Sequence, residues 1–510
     1  MSSLKVFDHN ASTAKNRYNK MESVRNTYTT RAEECAQYTI PMAFPKASDT
    51  YTKNYETPYQ SMGARGVNNL TSKLMLALFP PNAPFFRLTL GDEVQQALGD
   101  DPETKQQWEE ALSNIERKMQ SYMEDHQIRT TMYEAFMQLI IAGNVLLFLP
   151  PAEGGVRLYR LNSYVVSRDG VGNVLEIVAK ENVAFWSLPQ EAQNCIDGEQ
   201  IDPDKSYEVY THTYLEGDVF KSYQEIEGKI IPGSEQEYPK DKSPWIPLRL
   251  KKMDGESYGR SFVEDYIGDL KVLEALSKSV AQVAAIASNI IYLVNPNAVT
   301  RISELSKASS GDFIKGRLED VQVLQINKTS DLQITTAEKQ EIESRLSYAF
   351  LLNSAVQRNA ERVTAEEIRY VANELEDTVG SIYSILAQEL QLPLVRRIMV
   401  QMTREGQLPD MPEGSKGVEP MIITGIEALG RGHDLNNLDT FIRYAQVFPE
   451  AFQQNVRQAE ILRQIATALG IEANTVVKSD QEIQQEQQQA MQAQMAQQVA
   501  PEVARGAMQG

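Results

Sequence analysis

Metal-binding side chains are scarce in this sequence, with two cysteines and four histidines in 510 residues. Cys35 and Cys195 cannot build a structural zinc site, and His9, His126, His212 and His433 stand far apart without ligand spacing. Long apolar runs are missing too. None approaches the ~18 residues a membrane span needs, and Met1-Ser2-Ser3-Leu4-Lys5 lacks the apolar core of a secretory signal. The expectation is an intracellular chain with no membrane contact of its own and two reduced, structural thiols. Positive charge is the third shortage. Lysine plus arginine number 50 against 69 acidic residues, for a net charge of −19. A protein that grips DNA by neutralising phosphates carries a basic excess in at least one domain. None shows here, so any contact with nucleic acid has to be local or weak.

What is present is an ordinary globular mixture, 42% hydrophobic and 23% charged, long enough for about three domains. Residues 1–40 read as a polar helix ending at Ile40-Pro41. Tyr59 to Phe79 is amphipathic, with Met62, Val67, Leu70, Leu74, Met75 and Leu78 on one face, and Pro80-Pro81 stops it. A short strand is expected over Ala83–Leu90, helices over Trp108–Asp125 and Arg129–Ala142, and a buried strand over Val145–Leu149. Residues 156–250 alternate in Arg157–Leu161, Tyr164–Ser167, Val174–Val178, Tyr207–Tyr214 and Val219–Ile226, which predicts an antiparallel β region of five or six strands. Gly406 to Gly417 is a linker. Ile422 to Gly432 returns to packed structure, Asp434 to Leu469 gives two helices, and a Gln-rich tail follows Ser479. The fold class is α+β, mainly helical.

The stretch from Asp254 to Met402 organises the rest. Phe262, Tyr266, Leu270, Leu273, Leu276, Val280, Val283, Ala284, Ala287 and Ile291 recur at three- and four-residue steps. Some 30 residues make a rod roughly 45 Å long. Its second half is Ala-rich and uncharged between Ala281 and Ala287, suited to close packing against neighbouring helices. A second helix is expected from a capping box at Thr335 and Glu338, a third from one at Thr364 and Glu367. Pro393 should kink or end the third. Between the rods lie a turn-rich segment, 293–334, with strand-like pieces at Asp312–Lys315 and Val321–Ile326, and a polar loop, 353–363.

Two motifs invite catalysis. Gly255-Glu256-Ser257-Tyr258-Gly259 matches the G-x-S-x-G nucleophile elbow, which would make Ser257 the nucleophile of a serine hydrolase. However, no βαβ series surrounds it, and the sole downstream histidine is His433. A plain turn before a helix accounts for it better. Gly311-Asp312-Phe313-Ile314-Lys315-Gly316 lacks the Lys-Ser/Thr of a phosphate loop, and no helix follows. Neither amounts to an active site, and no cofactor is expected. Arg358 and Arg362 differ in kind, because helices on both sides fix their loop. They could be surface arginines paired with Glu361 or Glu366, or a loop presented to a polyanion, and chemistry alone leaves both open.

Several stretches settle the class by resemblance. EECAQYTIPMAFPK (33–46), YQSMGARGVNNLTSKLMLALFP (59–80), AGNVLLFLP (142–150), DGESYGRSFVEDYIGDL (254–270) and LLNSAVQRNAERVTAEEIRYVANELEDTVGSIYSILAQELQLPLV (351–395) together resemble the portal, or head-to-tail connector, proteins of short-tailed bacteriophages of the autographivirus type. The similarity spans most of the chain up to about residue 430, and the last segment is the most specific.

The resemblance implies a portal fold of wing, stem, clip and crown, assembled as a ring of twelve copies around a channel for double-stranded DNA at one capsid vertex. Residues 1–257 would be wing, 258–292 and 335–352 the two stem helices, and 293–334 the clip. Residues 353–364 would be the tunnel loop, 365–425 the kinked wing helix and its return, 426–478 the crown, and 479–510 the tail. Gln357, Arg358, Asn359, Glu361 and Arg362 are then the candidates to face DNA. Leu276, Val280, Val283, Ala284 and Ala287 would pack the stem, and Lys307, Lys315 and Arg317 would dock partners at the clip. Implied partners are the major capsid and scaffolding proteins, the terminase packaging motor, the tail adaptor and internal core proteins. The implied place is the virion, after assembly in the host cytoplasm. A chain at −19 fits a conduit, which must not hold its cargo tightly, with a few arginines forming a weak collar. The alternatives are the hydrolase on Ser257 and a scaffold or adaptor without a channel.

Overall fold

The computed structural model describes residues 12–46, 49, 53–80, 85–89, 102–151, 155–197, 202, 204–288, 292–323, 329–352, 374, 382–408, 421–424, 442, 444 and 461–462. The chain divides into two compact units, one of residues 1–363 and 370–425, the other of 364–369 and 426–510. In the second unit the described residues Ile442, Tyr444, Ile461 and Leu462 are helical.

The first unit starts with α1, Ala14–Gln37, capped by the Thr13 hydroxyl, which accepts from Asn16 N at 3.2 Å. It lies on a six-stranded antiparallel sheet whose main path is β4 (Tyr164–Arg168), β5 (Val174–Ala184), β6 (Ser206–Glu216), β7 (Val219–Ile226) and β8 (Lys229–Ile230). The last strand, β9 (Gln236–Pro239), also pairs with β7. Ala14 and Tyr18 pack with Val165, Val178, Tyr210, Tyr214 and Tyr223. The Glu225 carboxylate accepts from Ala14 N at 2.5 Å and Lys15 N at 3.3 Å, placing a negative charge where helix α1 exposes its first donors. Arg17 also bonds Glu176, whose other partner is the fully buried ring of His212 at 2.8 Å.

A second core forms around α2 (Met62–Leu78) and α4 (Ile128–Ala142), with α3 (Pro102–Asp125) beside it. Val67, Leu70, Leu74 and Leu78 meet Phe136, Leu139, Ile140 and Ile141 in a region where each is at most 2% exposed. Each such burial contributes roughly 1.5–3 kcal/mol. At Gly143 helix α4 turns into β2 (Asn144–Phe148). Gly143 has φ +72°, and a Cβ there would lie 2.5 Å from the Arg260 carbonyl carbon, so only glycine fits. Strand β2 is the middle of a three-stranded sheet, between β10 (Trp245–Arg249) and β3 (Arg157–Arg160).

A helix, a short strand pair and a second helix then follow. A 3-10 turn, Val263–Tyr266, leads into α5 (Ile267–Ser288), β11 (Tyr292–Val294), β12 (Val321–Val323) and α6 (Thr329–Ala349). Beyond these, helix Ile382–Leu386, a π turn Ala387–Gln391 and α7 (Leu392–Arg404) run together. The short strand β1 (Phe86–Thr89) pairs with β13 (Met421–Thr424).

Several expectations are corrected here. Helix α6 starts at Thr329, not at the Thr335 box, because Thr329-Ser330-Asp331 offers an earlier start and the apolar Leu332 and Ile334 continue it. Residues Asp312–Lys315 are not a strand. The alternating region holds eight strands, β3 to β10, rather than five or six, and they fall in two sheets because β3 and β10 join β2. Of the two outcomes expected at Pro393, a kink or an end, the helix does not end. The π turn before it loosens the ladder where the proline lacks a donor, and α7 resumes at Leu392. The helix start expected at Thr364, the crown helices apart from the four residues above, and the Gln-rich tail lie outside the described residues.

Candidate functional site

Helices α5 and α6 pack antiparallel. The end of α6 meets the start of α5: Arg345 lies 3.5 Å from Asp269, and the Phe350 ring packs at 5.4 Å from Phe262 and 5.8 Å from Tyr266. At the opposite ends β11 and β12 pair antiparallel, Tyr292 with Val323 and Val294 with Val321. The two helices are therefore tied at both extremities.

Cover thins along this pair. At the shared root Leu270, Leu273, Leu346 and Phe350 are fully buried, and Ile342 nearly so. Leu276, Val280 and Val283, farther along, are half-buried, and Ala281, Ala284 and Ala285 are exposed. Ile286 is 56% exposed on α5, and Ile334 70% on α6. Ala287 is helical, and its side-chain environment lies outside the description. The uncharged run between Ala281 and Ala287 thus has little of its own chain over it.

The segment between β11 and β12 is organised by one buried carboxylate. Asp320 accepts from Thr300 N at 3.1 Å, Thr300 Oγ1 at 2.7 Å and Val299 N at 3.2 Å, while Thr300 Oγ1 accepts from Arg317 N at 3.1 Å. The Thr300 hydroxyl and these amides hold the Asp320 carboxyl below its ordinary range. Lys307, Lys315 and Arg317 are all exposed around this knot. Sequence reasoning missed the apolar side chains beside them. Val299, Ile302, Phe313 and Leu318 are exposed, Phe313 and Leu318 almost completely. Bulky apolar residues in a turn-rich, non-periodic segment were the available signal.

The Ser257 motif is a structural staple. Gly259 N donates to Asn144 Oδ1 at 2.7 Å, Asn144 Nδ2 donates to Gly259 O at 2.8 Å, and Arg168 Nε donates to Ser257 O at 3.2 Å. The Tyr258 hydroxyl accepts from Val166 N, and Arg260 forks onto Glu256. His126 bonds Tyr122 O and His212 bonds Glu176 and Tyr223, so neither described histidine serves Ser257. No group of three or more His, Cys, Asp or Glu able to hold a metal occurs among the described residues. No described helix is long and apolar enough to cross a membrane. Gln357, Arg358, Asn359, Glu361 and Arg362 lie outside the described residues.

Known proteins resemble this chain over nearly its whole length. The family model described as bacteriophage head to tail connecting protein matches residues 11–477. The portal protein of Escherichia phage T7 is 46% identical over 481 residues, covering 92% of this chain and 89% of the relative. That of Enterobacteria phage T3 is 47% identical over 480 residues, with the same coverage of each. The portal protein of Enterobacteria phage SP6 is 31% identical over 475 residues, 92% of this chain and 90% of that one. Among solved structures, the neck of a native gene transfer agent particle computed with C12 symmetry matches with a TM-score of 0.26 at 12% identity, over 69% of this chain and 99% of that one.

Proposed function

Because this chain belongs to the bacteriophage head-to-tail connecting family, as a portal protein and not an enzyme, we propose how its parts divide the work. The portal is the connector at a unique capsid vertex, the passage for double-stranded DNA during packaging and ejection. Copies of the chain, twelve by the family likeness, close into a ring in which the α5–α6 pair of each lines the channel.

The observation that carries the ring is the uncovered apolar flank of this pair. Ile286, Ile334, Ala281, Ala284 and Ala285 are open in a single copy. Apolar faces of this kind are normally covered by a partner. A second copy covers them, with Leu276, Val280, Val283, Ala284 and Ala287 packing the stem. Small residues let the neighbouring helix approach closely.

The segment around Thr300 and Asp320 is the clip. Its exposed Phe313, Leu318, Val299 and Ile302, ringed by Lys307, Lys315 and Arg317, combine apolar anchors with a charged rim, as docking patches do. The terminase motor binds there first and the tail adaptor later. Residues 1–257 and the helix through α7 form the wing, which meets the major capsid and scaffolding proteins. Residues 426–478 form the crown, on the side of the internal core proteins. Assembly takes place in the host cytoplasm and the product is part of the virion.

The tunnel loop, 353–364, carries the DNA contact through Gln357, Arg358, Asn359, Glu361 and Arg362. A chain at −19 cannot grip DNA as a whole, and a weak arginine collar holds the last-packaged length without imposing large barriers at every step. The test is a paired variant, Arg358→Ala with Arg362→Ala. Rings should form normally by negative-stain microscopy while packaging or DNA retention drops. Normal retention in intact rings would refute the loop assignment, and the absence of rings in wild-type material would refute the portal reading.

A further inference from the structure

Gly66, Asn69 and Lys73 fall at three- and four-residue steps along α2, so one stripe of that helix presents all three. The face next to it, through Val67, Leu70, Leu74 and Leu78, is locked into the core. The stripe meets the polypeptide on both sides of the tunnel loop. A Cβ on Gly66 would fall 2.5 Å from Phe350 Cγ, which places that ring directly on the helix backbone. Asn69 Nδ2 donates to Phe350 O at 2.9 Å and to Leu351 O at 3.0 Å. Leu351 sits at φ +55°, a conformation that a leucine adopts only under constraint. Leu351 N to Tyr348 O, at 3.1 Å, and Leu352 N to Ser347 O, at 2.8 Å, complete the helix end there. One turn along α2, Lys73 Nζ lies 2.8 Å from Glu374 Oε2, with the lysine 5% exposed.

The chain is therefore tied to α2 at Leu351, beside Asn69, and again at Glu374, beside Lys73. Residues four apart on a helix have their Cβ atoms about 6 Å apart. We propose that α2 is the anchor of the tunnel loop, with Asn69 and Lys73 as positioning residues that fix where the arginine-bearing segment departs and returns. This deepens, and rests on, the reading of 353–364 as the loop that faces DNA. A collar that meets moving DNA needs immobile ends, and α2 supplies them from the best-buried part of the wing. Asn69 holds its side by two uncharged hydrogen bonds, and Lys73 holds the other by a charge-assisted one, which is stronger and more easily lost when either partner is neutralised.

The test reads the loop itself. Full-length rings are treated with an arginine-specific protease, and cutting after Arg358 and Arg362 is timed against cutting after Arg404, at the end of α7, as a control for general unfolding. Lys73→Met and Glu374→Gln should each speed cutting at Arg358 and Arg362 by about tenfold or more, the factor expected for losing one charged hydrogen bond, with Arg404 unchanged. The double variant should be no faster than the faster single one. Unchanged cutting in Glu374→Gln, which alters one near-isosteric group and should fold even if Lys73→Met does not, would overturn the anchor. So would additive effects of the two changes. DNA retention in the same particles separates the two claims. Faster cutting with normal retention keeps the anchor and removes the DNA-facing role of the loop.

Discussion

Gly66 and the ring of Phe350 are in direct contact, with no room between them for a methyl group: an added Cβ would lie 2.5 Å from Phe350 Cγ and 2.7 Å from Cδ1. In an open helix Gly→Ala stabilises by about 0.5–1 kcal/mol. Here the overlap dominates, and Gly66→Ala is expected to cost roughly 1–3 kcal/mol. Gly268, on the first turn of α5 with open space around its Cα, is the control, and its alanine variant should be neutral or slightly stabilising. Thermal denaturation of both variants checks the pair, and equal melting temperatures would show that the contact is not rigid.

Acid should loosen α1 through Glu176. Burial raises this carboxyl, but hydrogen bonds from Arg17 and His212 more than offset that and hold it at about 2, below the ordinary 4.5. A depressed folded pKa means that the stabilisation is complete above about pH 4.5 and fades as pH falls toward 2. At 1.36 kcal/mol per unit it is worth roughly 3 kcal/mol. Glu176→Gln is expected to lose much of that at neutral pH, with the gap to wild type closing as pH falls below about 4.5. Urea unfolding across that range would reveal a constant gap if the network carried no such energy.

Both cysteines are buried and free, and burial pushes the Cys35 thiol up to about 12. The thiolate is the reactive form. Native protein at mildly alkaline pH should therefore leave both thiols unmodified by a disulfide reagent, with two equivalents released on unfolding. Rapid native modification would contradict the packing of Cys35 beside Ser261, whose hydroxyl lies 3.9 Å from its sulfur.

Ala284 separates folding from assembly. It is exposed in one copy, so Ala284→Trp should change single-chain stability by no more than about 0.5 kcal/mol, yet abolish rings. Circular dichroism gives the first and negative-stain microscopy the second. Unchanged rings would place the contact between copies away from Ala284.

Local patterns were legible where one face is buried. Strand β7 spans Val219–Ile226 as its alternation indicates, and α4 starts one residue from its expected position. Partners far apart in sequence were not legible. Nothing around Phe86 announces Met421–Thr424 as its pairing strand, and nothing around Lys73 announces Glu374. The strand at β3 was legible but its sheet was not, because alternation shows that a strand is half-buried and not which sheet buries it. Buried charge was also invisible. Arg397 is 1% exposed, with Nε and Nη2 unbonded among the described residues and its guanidinium near the ring of Tyr238. Of the candidate site, helical spacing marked Leu276, Val280, Val283, Ala284 and Ala287 as positions on one helix, and their stem role is implied by family likeness. The arginine loop drew its meaning from family likeness, since two arginines between helices have many ordinary uses.

The thinning of cover along α5 and α6 makes an unjoined copy a sticky object. Ile286, Tyr292, Leu293, Phe313, Leu318 and Ile334 all meet water in a lone chain, and among the described residues the two-stranded ribbon of β11 and β12 has unpaired edges that invite mismatched neighbours. Crowding newly made chains before rings close should favour disordered clumping over orderly closure. The rate at which copies are supplied to the vertex is then as much a determinant of yield as the strength of any single contact between them.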